Sequence, residues 1–186
     1  MISSGVNVRP KLLPGDVGFL MHHDNKISKI FAWFMQSKWS HSFLIHEVTD
    51  RLIYTSETSD FQVVIHCFDK YLEDPNCSIE IWRLSGMPIE KRVEIADLAL
   101  KENLGQTYGY LQLFSLGLRR LLMRVGIKIP NFIRTGLVCC HHVLYGYTLA
   151  KVPGFEALDP EAIDTEEMYQ KIKKKGFTKV FEKPNI

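Results

Sequence analysis

The sequence predicts an α+β fold, and three observations carry that expectation. Short β-prone runs crowd the chain before residue 85, whereas helical periodicities fill it afterwards. The two kinds of segment therefore do not alternate as βαβ units would require. The composition, 46% apolar and 24% charged over 186 residues, suits one globular domain spanning 1–186 and argues against a disordered or fibrous chain.

Pro14-Gly15-Asp16 is a turn signal, and the bounded apolar run 17–21 after it reads as a buried strand. Residues 27–35 place Ile27, Ile30, Phe31 and Phe34 at three- and four-residue spacings, predicting a helix over the core. The runs 41–47 and 52–58, separated by Val48-Thr49-Asp50-Arg51, predict an antiparallel hairpin. With 62–67 and 78–84 they make a sheet of four to five strands. Residues 87–103 predict a helix with Pro88 in its first turn and Ile89, Val93, Ala96 and Leu100 on one side. Further helices are expected over 111–125, 138–150 and 160–175, the last ending in a lysine triplet suited to a helix C-terminus.

Charge and segment lengths exclude some functions. With 23 Lys and Arg against 21 Asp and Glu, a net charge of +2 gives no reason to expect a nucleic-acid partner. There is no apolar run of transmembrane length, and 1–11 lacks the pattern of a secretory signal, so a cytoplasmic location is expected, with release by lysis or carriage in a phage particle compatible with it. Cys67, Cys77, Cys139 and Cys140 show no disulfide-scaffold spacing and read as thiols.

Cys139-Cys140-His141-His142 is the most unusual local cluster. Adjacent residues point in different directions, so a tetrahedral metal site, a vicinal disulfide or redox pair, and a pair of inert buried thiols are all readings to set beside a nucleophile. A thiol at a helix N-terminus meets unpaired backbone N–H groups and the positive end of the helix dipole, which favour the thiolate. Counting three and four residues on from Cys140 reaches Val143 and Leu144, both apolar, which favours Cys140 over Cys139 as the nucleophile. A base is then required, and His41, opening a strand at the end of the loop Ser37-Lys38-Trp39-Ser40, is placed to reach a cleft. His22 and His23 read as a solvated turn, and His46 and His66 as strand scaffold.

These residues resemble a family. Pro14-Gly15-Asp16-Val17-Gly18-Phe19, followed by Ser37-Lys38-Trp39-Ser40-His41-Ser42-Phe43-Leu44-Ile45, is similar to the opening of circularly permuted NlpC/P60 papain-like thiol enzymes, YiiX-like proteins in particular. Tyr54 to Glu57, Ile79 to Leu84 ending in its Arg-Leu pair, Gly105-Gln106-Thr107-Tyr108 and Leu137-Val138-Cys139-Cys140 follow in the family's order, across about 14–147, leaving 148–186 as a C-terminal helical extension. The resemblance implies a papain-like antiparallel sheet packed against helices, Cys140 as nucleophile, His41 as base, Glu57 as the residue orienting it, and Tyr108 on the substrate side. It implies acyl transfer through a thioester with no metal or organic cofactor. An odd-numbered hairpin loop would set 41 and 57 on one face of the sheet. Two positions depart from the family pattern: His141-His142 replaces Ser-Glu after the nucleophile, and Gly109 stands where Asp follows the Tyr. Both positions are expected to border the cleft.

The leading expectation is therefore a cysteine hydrolase cleaving an amide bond in a peptide or peptidoglycan fragment. A thiol acyltransferase or esterase acting on acylated or lipid substrates is the alternative enzyme, and a non-catalytic binding or structural module the alternative class. Residues 111–128 bear on the choice: Leu118, Leu121, Leu122 and Val125 form a stripe beside Arg120 and Arg124, readable as a core helix with a solvated basic edge or as a lid that docks on a membrane surface.

Overall fold

The computed structural model describes residues 10–59, 62–130, 133–134 and 136–184. Most of the N-terminal stretch read for a secretory signal, and the last two residues of the C-terminal extension, lie outside the described residues. Six strands form one sheet, β1 (Val17–His22), β2 (His41–Val48), β3 (Ile53–Ser59), β4 (Gln62–Cys67), β5 (Cys77–Leu84) and β6 (Phe177–Lys183), in the order β4-β3-β2-β1-β5-β6 with every neighbour antiparallel. The helices are α1 (Lys26–Met35), α2 (Asp69–Glu73), α3 (Ile89–Asn103), α4 (Tyr110–Arg124), α5 (Cys139–Leu149) and α6 (Thr165–Lys174). The α+β expectation holds. Segregation is looser than expected, because β6 follows all the helices and pairs with β5. None of the helices is long and apolar enough to cross a membrane, among the described residues.

The sheet has an apolar cluster on each face. One joins Val17, Phe19 and Leu44 to α3, α5 and α6, and the other gathers Leu20, Phe43, Ile45, Ile79 and Ile81 beneath Phe68 and Tyr71. Alternation along each strand produces the division, since successive side chains point to opposite faces. Helix α5 lies at the centre: Cys139, Cys140, His141, His142, Val143, Leu144, Gly146 and Tyr147 are all buried. A Cβ at Gly146 would stand 2.5 Å from the Ile95 carbonyl oxygen, so glycine lets α3 and α5 approach closely. The Tyr147 hydroxyl donates to the Gly15 carbonyl at 2.6 Å, fastening α5 to the turn before β1.

Several helix faces differ from those the periodicity predicts, because each buried side includes alanine or glycine, which carry little of the apolar signal. On α1 the buried residues are Ala32 and Met35, while Ile27 and Ile30 are exposed. On α3, Ile95, Ala96, Ala99 and Arg92 face inward and Ile89 and Val93 outward, with Pro88 at the N-cap rather than inside the first turn. On α4, Leu113, Leu116 and Gly117 are buried, and Val125, assigned to the apolar stripe, is 71% exposed. Arg119 and Arg120 do not form a solvated edge, because they pair with Glu167 and Asp164. The segment 160–175 divides into a 3-10 turn (Pro160–Ala162) and α6, whose start is fixed by a capping box between Asp164 and Glu167.

Candidate active site

The hairpin β2–β3 sets the first part of the site. Its turn closes between Val48 and Ile53, which leaves an even-numbered loop, and in that register residues 41 and 57 would fall on opposite faces. A β-bulge between Ile45 and Glu47 adds His46 as an extra residue on β2 and changes the pairing to Ile45 with Thr55 and Leu44 with Ser56. In the shifted register Glu57 falls opposite Phe43, so His41 becomes its diagonal neighbour on the same face. The loop parity expected from sequence is wrong, and the bulge restores the juxtaposition.

His41 Nε2 lies 2.6 Å from Glu57 Oε2. The Glu57 carboxylate is buried, and it also accepts from Tyr71 OH at 2.6 and 2.7 Å, from Lys70 Nζ at 3.2 Å and from Thr55 Oγ1 at 3.3 Å. Burial alone would raise its pKa, but the His41 hydrogen bond and charge, with Lys70 and Tyr71, hold it well below the ordinary carboxylate range. A carboxylate anchored this way fixes the imidazole's orientation and supports its positive charge.

The thiol beside His41 belongs to Cys139. Cys140 turns away, its sulfur 3.3 Å from the Ile163 carbonyl oxygen, and burial together with its neighbour's negative charge pushes its pKa well up. Cys139 is held well below the usual thiol value, first by the adjoining Cys140 side chain and, against the penalty of burial, by the hydrogen bond and charge of His41 and by Ser42. For His41 burial opposes the charge, yet Cys139 and Glu57 raise its pKa to about 10. With Nε2 given to Glu57, Nδ1 is the ring nitrogen left for the thiol. The sequence count that favoured Cys140 assumes a helix with one buried face, and α5 is buried nearly all round, so Val143 and Leu144 discriminate nothing.

The thiol heads α5, where Val138 at the N-cap supplies no side-chain hydrogen bond. The first turn of an α-helix leaves N–H groups without intrahelical acceptors, and a developing oxyanion is the kind of acceptor such groups stabilise. Beside the histidine–carboxylate pair lies a cleft of about 510 Å³ bordered by His41, Glu57, Tyr71, Tyr108, Ile27 and Phe31. Cys139 itself is only 1% exposed, and Tyr108 on the cleft wall has its pKa pushed well up, first by burial and then by the charge of Cys139. Tyr108 borders this cleft, its ring tilted against that of Tyr110 with centroids 4.6 Å apart.

The two departures from the family pattern do not border the cleft. Gly109 is buried, and its N–H donates to the Leu137 carbonyl at 2.9 Å in the short parallel bridge of Tyr108 with Leu137. Gly136, at φ 86°, approaches so closely that a Cβ there would stand 2.7 Å from the Gly109 Cα. His141 and His142 are fully buried, and burial pushes their pKa values down to about 4 and about 3. Asn103 Nδ2 is 3.3 Å from His142 Nδ1, so Nε2 carries the proton and donates to Ser56 Oγ at 2.9 Å, tying α5 to α3 and to the strand of Glu57. Tyr71, Lys70 and Ser42 escaped the sequence reading; a five-residue helix such as α2 carries too short a pattern to reveal them.

A titration follows from this pairing. The depressed Cys139 and the raised His41 make thiolate and imidazolium coexist through neutral pH, with the upper limit near pH 10 where His41 releases its proton. Thiolate ultraviolet absorbance is expected at neutral pH, lost only on acidification, and absent at neutral pH in His41→Ala. Absorbance that rises only in the alkaline range in the unaltered protein would exclude the ion pair.

Fold and site define an α+β protein with a thiol at a central helix N-terminus beside a strand-borne histidine–carboxylate pair. No protein-family model matches the chain, and no curated protein matches it. Among solved structures it is similar to the crystal structure of the metalloprotein yiiX from Escherichia coli O157:H7, with a TM-score of 0.49 and 14% identity over 92% of this chain and 97% of that one. No group of three or more His, Cys, Asp or Glu among the described residues is arranged to hold a metal ion.

Proposed function

We propose that the protein is a cysteine-dependent hydrolase that cleaves an amide bond, of peptide or peptidoglycan type, through a thioester on Cys139. The observation that carries this reading is the convergence of the Cys139 thiol on His41, itself held at 2.6 Å by the buried Glu57. The Cys139 thiolate adds to the substrate carbonyl, and N–H groups at the head of α5 receive the oxyanion. His41 gives its proton to the departing amine while Glu57 keeps the ring in place. Water, deprotonated by the now neutral His41, then releases the acyl group and restores the thiolate beside the imidazolium.

A second reading, transfer or hydrolysis of a lipid acyl ester by the same steps, is favoured by the apolar side of the cleft, where Ile27 and Phe31 face Tyr108 and Tyr110. Mass spectrometry after brief incubation with peptide amides, peptidoglycan fragments and acyl esters tests both. The expected result is an acyl adduct on the Cys139 peptide with an amide substrate, absent in Cys139→Ala. An adduct with esters alone would transfer the function to the lipid reading, and no adduct together with no labelling by thiol-directed electrophiles would leave a non-catalytic module.

A further inference from the structure

The mouth of the cleft continues onto an apolar surface that the proposed chemistry does not use. Helices α1 and α4 lie side by side: the Phe34 and Phe114 rings are 5.7 Å apart, and Gln36 Nε2 reaches the Arg120 carbonyl oxygen at 3.4 Å. Their N-terminal ends meet at the cleft, which Ile27 and Tyr110 both border. Outward from there, Ile27, Ile30 and Trp33 on α1 are 62–64% exposed, and Leu111 and Phe114 on α4 are 66% and 57% exposed. Spacings of three residues place each set along one side of its helix. Large apolar residues exposed together in this number mark a binding surface more often than an idle one.

Charge indicates the occupant. Lys26 and Lys29 are exposed on α1 beside the apolar residues, and Arg124 and Lys128 are exposed at the far end of α4 and just beyond it. No acidic residue occurs on α1, on α4, or anywhere in 103–155. A second copy docking through this face would set the cationic rim against itself, whereas an anionic lipid surface neutralises it and accepts Trp33 at the depth where tryptophan is favoured. We infer that the exposed face of α1 and α4 docks the protein on an anionic lipid surface with the cleft mouth turned toward the bilayer. Docking does not depend on the reaction proposed for Cys139, although it would present acylated or membrane-bound substrates to that thiol.

The test is sedimentation of the full chain with phosphatidylcholine vesicles containing or lacking phosphatidylglycerol, at low and moderate salt. Pelleting with the anionic vesicles is expected, about tenfold weaker with neutral vesicles or at moderate salt, where screening removes the cationic contribution. The double variant Trp33→Ser with Phe114→Ser should bind about tenfold more weakly while keeping the thiol reactivity of the unaltered protein, and Cys139→Ala should pellet normally. Trp39 is buried and Trp82 half-buried, so a blue shift of emission on anionic vesicles reports Trp33 directly in a protein that needs no destabilising change. Trp33→Phe should keep the pelleting and lose the shift. Absence of pelleting under all conditions, pelleting undiminished in the double variant, or a self-association that the double variant abolishes in place of vesicle binding would each overturn the inference.

Discussion

Cys139→Ala is expected to abolish turnover, by about 10⁴-fold or more, while Cys140→Ala keeps most of it. The two thiols are adjacent and both buried, so burial does not separate them; what does is that one faces His41 and the other the Ile163 carbonyl. His41→Ala should lose about as much as Cys139→Ala, and the double variant little more than either, because nucleophile and base act as one proton-transfer unit. Glu57→Gln should cost less, since a neutral acceptor still orients the ring, and Tyr71 can donate to it as it does to the carboxylate. Steady-state rates on the substrate that gives the acyl adduct, with thermal melts to confirm folding, check the set. Full activity in Cys139→Ala with loss in Cys140→Ala would return the nucleophile to the position favoured by the helix count.

Asp16→Ala, just before β1, is expected to destabilise the fold by about 3–5 kcal/mol, the range for breaking a buried ion pair from one side. Asp16 is fully buried, and its carboxylate accepts from Arg83 Nε at 2.8 Å, Arg83 Nη2 at 2.6 Å, Arg92 Nη1 at 3.3 Å and the Leu13 N–H at 2.9 Å. Arg92 is 3% exposed and would be left charged in the interior, whereas Arg83 is more accessible and can turn to water. For a chain of this length the loss corresponds to a melting point lower by about 10 °C. Asp16→Asn should fall between, keeping the acceptor and losing the charge. A melting point for Asp16→Ala within about 2 °C of the unaltered protein would show that Arg92 finds another partner.

The pair Gly15-Asp16 and the arginine ending β5 were legible as motifs, but their purpose is structural: they pin the start of β1 to β5 and α3. The strands β1 to β5 were legible because they are short, bounded runs rich in apolar and β-branched residues. Strand β6 was not, since Phe177–Lys183 is mostly polar, has only Phe177 buried, and takes its conformation from pairing along β5. Helices were found where periodicity is strong, yet their inward faces were misread on α1, α3 and α4, because alanine and glycine at the close contacts carry little hydrophobic signal. At the site, His41 and Glu57 meet and Tyr108 borders the same cleft, while their roles belong to the proposal. The choice between Cys139 and Cys140 was not legible, since it depends on the direction from which α5 meets β2. Nor was the bulge at His46, although the shared face of His41 and Glu57 depends on it; a one-residue irregularity leaves no compositional mark.

The pairing of β5 with both β1 and β6 has a consequence for how the chain is made. Hairpin β2–β3 closes a loop of a few residues and can form as soon as it leaves the ribosome, carrying His41 and Glu57 into register early. Pairing Leu84 with Phe177 spans most of the chain and must wait for late synthesis, and such long-range closure slows folding. The helix bearing Cys139 is packed between these early and late parts, touching β2 and β3 on one side and α6, the helix leading into β6, on the other. A nascent or truncated chain that lacks β6 therefore already has the elements that hold His41, Glu57 and Cys139, and leaves the outer edge of β5 unpaired until synthesis is nearly complete.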